Sequence, residues 1–180
     1  MIFITGGVRS GKSAFAEKYA RELGEEKIFY YVATGIAFDD EMKKRIIRHQ
    51  QDRENQNIDW TTVEMQVKVP EAIGQLSNNA VVLFECVTTW LSNVLYTYEQ
   101  KNENSDYIDN CIGSLQKQLL TWRKQGATII VVSNEVLDEL PSQYEEVNLY
   151  RKLLGEFHQW IVQNSDEAFE VQFQLVQRWK

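Results

Sequence analysis

Cysteine is scarce in this 180-residue chain, with only Cys86 and Cys111 present and no metal-ligand spacing between them. Both thiols are therefore expected to be reduced and structural, and Cys86 directly follows an apolar run where a buried thiol would sit. Long apolar stretches are missing as well. Even AVVLFECV, residues 80 to 87 and apolar but for Glu85 and the thiol of Cys86, falls far short of the roughly 20 residues that cross a bilayer, and its length suits a buried strand. The first residues, MIFITGG, contain no basic segment and no apolar stretch before a cleavage site. No secretory signal is read there, and a cytoplasmic location without membrane insertion is expected. Positive charge is also in deficit: 19 Lys and Arg face 26 Asp and Glu, for a net charge of −7 and a pI of about 5.0. That balance argues against nucleic acid or an anionic membrane as partner. A local cluster of backbone N–H groups and basic side chains can still bind a phosphate on an acidic molecule.

What is present is ordinary for a globular protein, with 43% hydrophobic and 25% charged residues. A chain of this length can bury a core without disulfides or a structural metal, and one domain over residues 1–180 is expected. Strands are predicted at 2–5, 28–34, 80–85 and 128–133, the last three apolar throughout, as in strands covered on both faces. Helical patterns fall between them. The first covers about 12–23, with Phe15, Tyr19 and Leu23 on one face and Gly24 as its stop. Others are expected over about 39–54, after Pro70, after Thr88 (with Trp90, Leu91, Val94, Leu95 and Tyr98 on the apolar face), over about 107–125 and over roughly 142–164. DWTTVE (59–64) reads as a short edge strand, and AFEVQFQLV (168–176) as a half-buried strand closing the sheet. Alternating strands and helices predict an α/β, three-layer fold with a mainly parallel central sheet.

The segment GGVRSGKS fits G-x-x-x-x-G-K-[ST], from Gly6 through Gly7, Val8, Arg9 and Ser10 to Gly11, Lys12 and Ser13. A strand precedes it and an amphipathic helix follows, as a P-loop requires. Glycines let several N–H groups converge on phosphate oxygens, and the helix N-terminus adds partial positive charge. Lys12 would reach the β- and γ-phosphates, and the Ser13 hydroxyl would serve Mg²⁺. Glu85, at the end of an apolar strand, would hold a metal-bound water or accept a proton. Asp39 and Asp40 are accounted for by helix capping.

There are two histidines. On a helix, His49 shares a face with Met42, Ile46 and Arg53, a position open to a polar residue edging an apolar stripe or to a functional group. His158 lies in an amphipathic pattern and is read as structural. The acidic residues Asp138, Glu139, Glu145 and Glu146 suit a solvated face.

Several motifs in order, TGGVRSGKS, YVATG, DDEMKKRIIRHQQDR, WTTVE, ECVTTWLSNVL and VVSNEV, resemble the bifunctional adenosylcobinamide kinase / adenosylcobinamide-phosphate guanylyltransferase family of cobalamin biosynthesis. The resemblance implies a P-loop NTPase-type fold, a small-molecule corrinoid substrate (adenosylcobinamide), ATP or GTP with Mg²⁺, and a homotrimer. It implies that His49 carries a guanylyl group between GTP and the phosphorylated corrinoid. It also places nucleotide contacts on Gly6 to Ser13, on Thr34, Gly35 and Ile36, on Gln50, Gln51, Asp52 and Arg53, and on Glu64 and Glu85. Cationic neighbours Arg45, Arg48 and Arg53 would keep an imidazole neutral near pH 7 and offset phosphate charge.

The chain departs from the family's pattern after SNEV. LDELPSQ replaces a glycine-containing segment, Lys152 and His158 replace an aspartate and an asparagine, and VQFQLVQRWK replaces a glycine-proline turn and short strand. A simpler P-loop small-molecule kinase, with RIIRHQQDR only a lid, and a GTP-binding regulatory module remain as alternatives.

Overall fold

Parallel strands covered by helices on both faces need apolar residues at every position, and this chain provides them where the sheet is central. The computed structural model of the chain describes residues 1–24, 26–35, 47, 58–137 and 141–180. Among these, β1 (Ile2–Gly6), β2 (Ile28–Ala33), β3 (Trp60–Glu64), β4 (Ala80–Glu85), β5 (Thr128–Asn134), β6 (Glu167–Gln172) and β7 (Leu175–Arg178) form one sheet in the order β3-β2-β4-β5-β1-β6-β7. Every neighbouring pair is parallel except β6 and β7. The α-helices that lie wholly within the described residues are α1 (Lys12–Glu22), α2 (Val87–Lys101), α3 (Tyr107–Lys124) and α4 (Glu145–Asn164).

Alternate strand residues feed two cores. Ile2, Ile4, Val81, Leu83, Ile130 and Val132 pack with Ala16 and Ala20 of α1, and Phe15 and Tyr19 lean on that cluster. Phe3, Val82, Phe84, Ile129 and Val131 face the other way, onto Trp90 and Leu91 of α2, Leu119 and Trp122 of α3, and Leu154 and Phe157 of α4. Helices on both faces make the predicted three-layer α/β fold. No helix among the described residues is long and apolar enough to cross a membrane.

Two expectations about secondary structure are corrected. After Pro70 the chain makes only a 3-10 turn, Glu71–Ile73. Buried Ile73 sits under Trp122, whose Nε1 donates to the Ile73 carbonyl at 2.6 Å, while Gln118 Nε2 donates to the Gly74 carbonyl. Tertiary partners thus occupy acceptors that a continuing helix would use. Residues 168–176 are not one strand. They fold back at Phe173 and Gln174, whose φ values are 51° and 65°, so β6 lies inside the sheet beside β1 and β7 forms the edge. A two-residue reversal preserves the apolar-polar alternation, which hides it from periodicity. Of the predicted helix at 39–54 only Ile47, helical and exposed, is described; its other residues lie outside the described ones, as do Asp138 and Glu139.

The parallel arrangement brings the C-terminal ends of β1, β2, β3, β4 and β5 to one edge of the sheet. In register, Glu64 lies beside Ala33, Ala33 beside Glu85, and Glu85 beside Val132. Open α/β sheets bind ligands outside this edge.

Candidate active site

The loop leaving β1 has a backbone that its glycines permit. A Cβ on Gly6 would lie 2.2 Å from the Val171 carbonyl oxygen, so only glycine lets β1 and β6 approach there. Gly11 caps α1 at φ 97°, and Arg9 takes the left-handed conformation at φ 61°. The first helical bond runs from the Phe15 N–H to the Gly11 carbonyl at 3.0 Å. By helix geometry the N–H groups of Lys12, Ser13 and Ala14 then lack intrahelical acceptors and carry the positive end of the α1 dipole. No acidic residue occupies the first turn.

Lys12 folds back over this loop, its Nζ donating to the Gly7 carbonyl at 3.2 Å. The side chain is only 8% exposed. Burial lowers its pKa, an effect opposed by the neighbouring Glu85 and Cys86. Ser10 is buried, its Oγ without a hydrogen-bond partner among the described residues, and Val8 projects outward.

The next residue, Ser13, donates its hydroxyl to Glu85 Oε1 across 72 positions of sequence. Glu85 Oε2 accepts from the Tyr31 hydroxyl at 3.1 Å. The structure thus brings together a hydroxyl, a carboxylate and a lysine predicted from separate motifs. Ser13 and Glu85 form a pair of hard oxygen donors. Such a pair fits Mg²⁺, which keeps several waters and takes its remaining ligands from nucleotide phosphates rather than from a protein cage. Among the described residues no cluster of three or more His, Cys, Asp or Glu side chains forms such a cage.

Buried Thr34 ties the end of β2 to the end of β4. Its N–H donates to the Glu85 carbonyl at 3.0 Å and its Oγ1 accepts from the Cys86 N–H at 2.7 Å. Asn93, also buried, donates both amide hydrogens, to the Thr34 and Gln66 carbonyls. Gly35 follows, exposed at the same edge. Glu64 is exposed at the end of β3, two strand spacings or about 10 Å from Glu85, so it joins the edge without joining the Ser13 pair. Ile36, His49, Gln50, Gln51, Asp52 and Arg53 lie outside the described residues, as do Arg45 and Arg48.

Sequence reasoning missed a polar group beside Glu85. Both cysteines are free thiols. Cys86 does not sit wholly in hydrocarbon, because its Sγ lies 2.9 and 3.1 Å from the hydroxyls of Thr88 and Thr89. Asn134 Nδ2 donates to Thr88 Oγ1 at 2.9 Å, and the Tyr150 hydroxyl donates to the Thr88 carbonyl. Burial pushes the Tyr150 phenol up to about 12. Their signal was position: Asn134 ends β5 as Glu85 ends β4. His158, by contrast, is in the core, with Nε2 2.7 Å from Ser133 Oγ and its ring 5.2 Å from that of Phe3. Burial pulls its pKa down to about 4.

A family model described as "Cobinamide kinase / cobinamide phosphate guanyltransferase" matches residues 2–174. The chain belongs to this family. Among curated relatives, the bifunctional adenosylcobalamin biosynthesis protein CobU of Escherichia coli (strain K12) is 32% identical over 177 residues, covering 95% of this chain and 94% of the relative. CobU of Salmonella typhimurium (strain LT2) is 30% identical over the same length and coverage. The bifunctional protein CobP of Pseudomonas aeruginosa is 31% identical over 150 residues, or 78% of each chain. Among solved structures, the type III secretion ATPase EscN of enteropathogenic E. coli aligns at a TM-score of 0.59 and 13% identity, covering 97% of this chain and 43% of that one. The RadB recombinase aligns at 0.51 and 15% identity, covering 94% and 72%. These structural likenesses show an α/β P-loop fold. Membership of the cobinamide kinase and guanyltransferase family makes the chain an enzyme of the kinase and nucleotidyltransferase type acting in cobalamin biosynthesis.

Proposed function

We propose that this enzyme phosphorylates adenosylcobinamide and then transfers GMP from GTP to adenosylcobinamide phosphate through a guanylyl group on His49. The observation that carries the nucleotide part is the contact of Ser13 with Glu85 beside a buried Lys12, all at the C-terminal edge of the sheet. Family membership supports the corrinoid and the two reactions.

In the kinase step the corrinoid hydroxyl attacks the γ-phosphorus, the bond to the bridging oxygen breaks, the nucleoside diphosphate leaves, and the hydroxyl proton is released to solvent. Lys12 would give its charge to the β- and γ-oxygens, and the free N–H groups at the start of α1 would hold the remaining oxygens. Mg²⁺ held by Ser13 and Glu85 would supply further neutralisation of phosphate charge. In the second reaction a neutral His49 nitrogen attacks the α-phosphorus of GTP and pyrophosphate departs. An oxygen of adenosylcobinamide phosphate then attacks the same phosphorus, breaking the P–N bond and freeing the histidine.

The nucleotide would contact Gly6 to Ser13, Thr34, Gly35, Ile36, Gln50, Gln51, Asp52, Arg53, Glu64 and Glu85. The enzyme would act in the cytoplasm as a homotrimer.

The test uses GTP labelled at the α- or the γ-phosphate, incubated with Mg²⁺ and enzyme before denaturation. Label from the α-position is expected to stay with the protein, to be acid-labile and alkali-stable, and to vanish in His49→Ala. Retention of no α-label would overturn the histidine intermediate, and cobinamide phosphorylation without it would leave a kinase alone.

A further inference from the structure

We propose that Tyr31 is a positioning residue for the metal-binding carboxylate, holding Glu85 through one oxygen so that the other is presented to Ser13. The inference rests on the reading of Ser13 and Glu85 as the Mg²⁺ site and adds a residue that the P-loop motif does not contain.

Three observations carry it. First, the two oxygens of Glu85 have different partners: Oε1 accepts from Ser13, and Oε2 accepts from the Tyr31 hydroxyl at 3.1 Å. Second, register explains why Tyr31 reaches it. Tyr31 on β2 pairs with Leu83 on β4, two residues before Glu85 and on the same face of the sheet, so the long phenol extends toward the strand end from one layer below. Third, Tyr31 is itself held. It is 5% exposed, packs in the α1-side core, and meets the Trp60 ring edge-on at a centroid distance of 6.0 Å.

A glutamate has three side-chain torsions, and an unheld one can present either oxygen, or both, to a cation. The phenol donates to an anionic oxygen, a charge-assisted bond, and its own ring cannot swing away. Tyr31 therefore fixes the plane of the carboxylate before any ligand arrives. Its predicted effect is on metal affinity in the nucleotide complex rather than on nucleotide affinity alone.

The test measures Mn²⁺ binding by electron paramagnetic resonance to the full-length enzyme carrying a non-hydrolysable GTP analogue. Tyr31→Phe keeps the ring and deletes the hydroxyl. It is expected to weaken Mn²⁺ binding about tenfold, with an unfolding midpoint close to that of the wild type. Glu85→Gln should also weaken it, and adding Tyr31→Phe to Glu85→Gln should change it less than about twofold, because a residue acting through Glu85 has nothing left to position. Unchanged Mn²⁺ affinity in Tyr31→Phe, or an equal loss in the Glu85→Gln background, overturns the inference while the metal site stands. A wild-type complex that holds Mn²⁺ no better than the free analogue overturns both.

Discussion

The carbonyl oxygen of Ser10, within the glycine-rich loop, accepts a 2.8 Å hydrogen bond from the backbone N–H of Gln174, in the turn between β6 and β7. Atoms of Gln174 also lie within van der Waals reach of a Cβ built on Gly11. The loop is therefore braced from outside its own motif, by a hairpin near the other end of the chain.

That hairpin turn is strained in a way that can be relieved. Phe173 and Gln174 both take positive φ in a two-residue connection, the pattern for which Asn-Gly is the favoured pair, and Phe173 is 89% exposed. The double variant Phe173→Asn, Gln174→Gly should gain about 1 kcal/mol and melt a few degrees higher. Calorimetry checks this, and a lower midpoint would mean that the Gln174 side chain contributes more than its backbone strain costs.

Lys12 separates function from stability. Its ammonium is buried, with a pKa pushed down by that burial, and its single described hydrogen bond is to the Gly7 carbonyl. Lys12→Met should lower nucleotide-dependent turnover by about a hundredfold or more. Stability should not fall, since a desolvated charge is removed and an aliphatic stem of similar length remains. Activity and denaturant unfolding measured on the same preparation distinguish the two effects.

His158 should give the fold a pH dependence of its own. Its folded pKa of about 4 lies below the ordinary 6.5, so the unfolded chain takes up a proton that the native ring refuses. Stability from this group is complete above pH 6.5 and is lost as pH falls toward 4, by an amount of about 3 kcal/mol. Unfolding free energies of wild type and His158→Gln, compared from pH 7.5 to 4, should converge as pH drops. Parallel curves would show that the native ring accepts protons as readily as the unfolded one.

The residues of the candidate site differ in how far they could be recognised before folding. Gly6 to Ser13 stood out because a phosphate-binding turn is local: adjacent N–H groups, a lysine and a hydroxyl must follow one another along the chain. Glu85 could be found because a charged residue ending an apolar strand is conspicuous. Tyr31, Asn134 and Thr88 could not, since an aromatic, an amide and a threonine in such segments have many uses, and only strand pairing brings them beside Glu85. Gln174 and the split of residues 168–176 were hidden because alternation continues through the reversal.

From its letters alone the chain specified which segments are apolar on both sides, where the glycine-rich turn lies, and hence a parallel α/β sheet, because those properties depend on neighbours in sequence. The tertiary structure decided strand order, the pairing of Ser13 with Glu85, the hold of Tyr31 on that carboxylate and the bracing of the loop by Gln174. Each depends on distances between residues far apart in the chain, which are fixed when the strands choose partners and bury their side chains together.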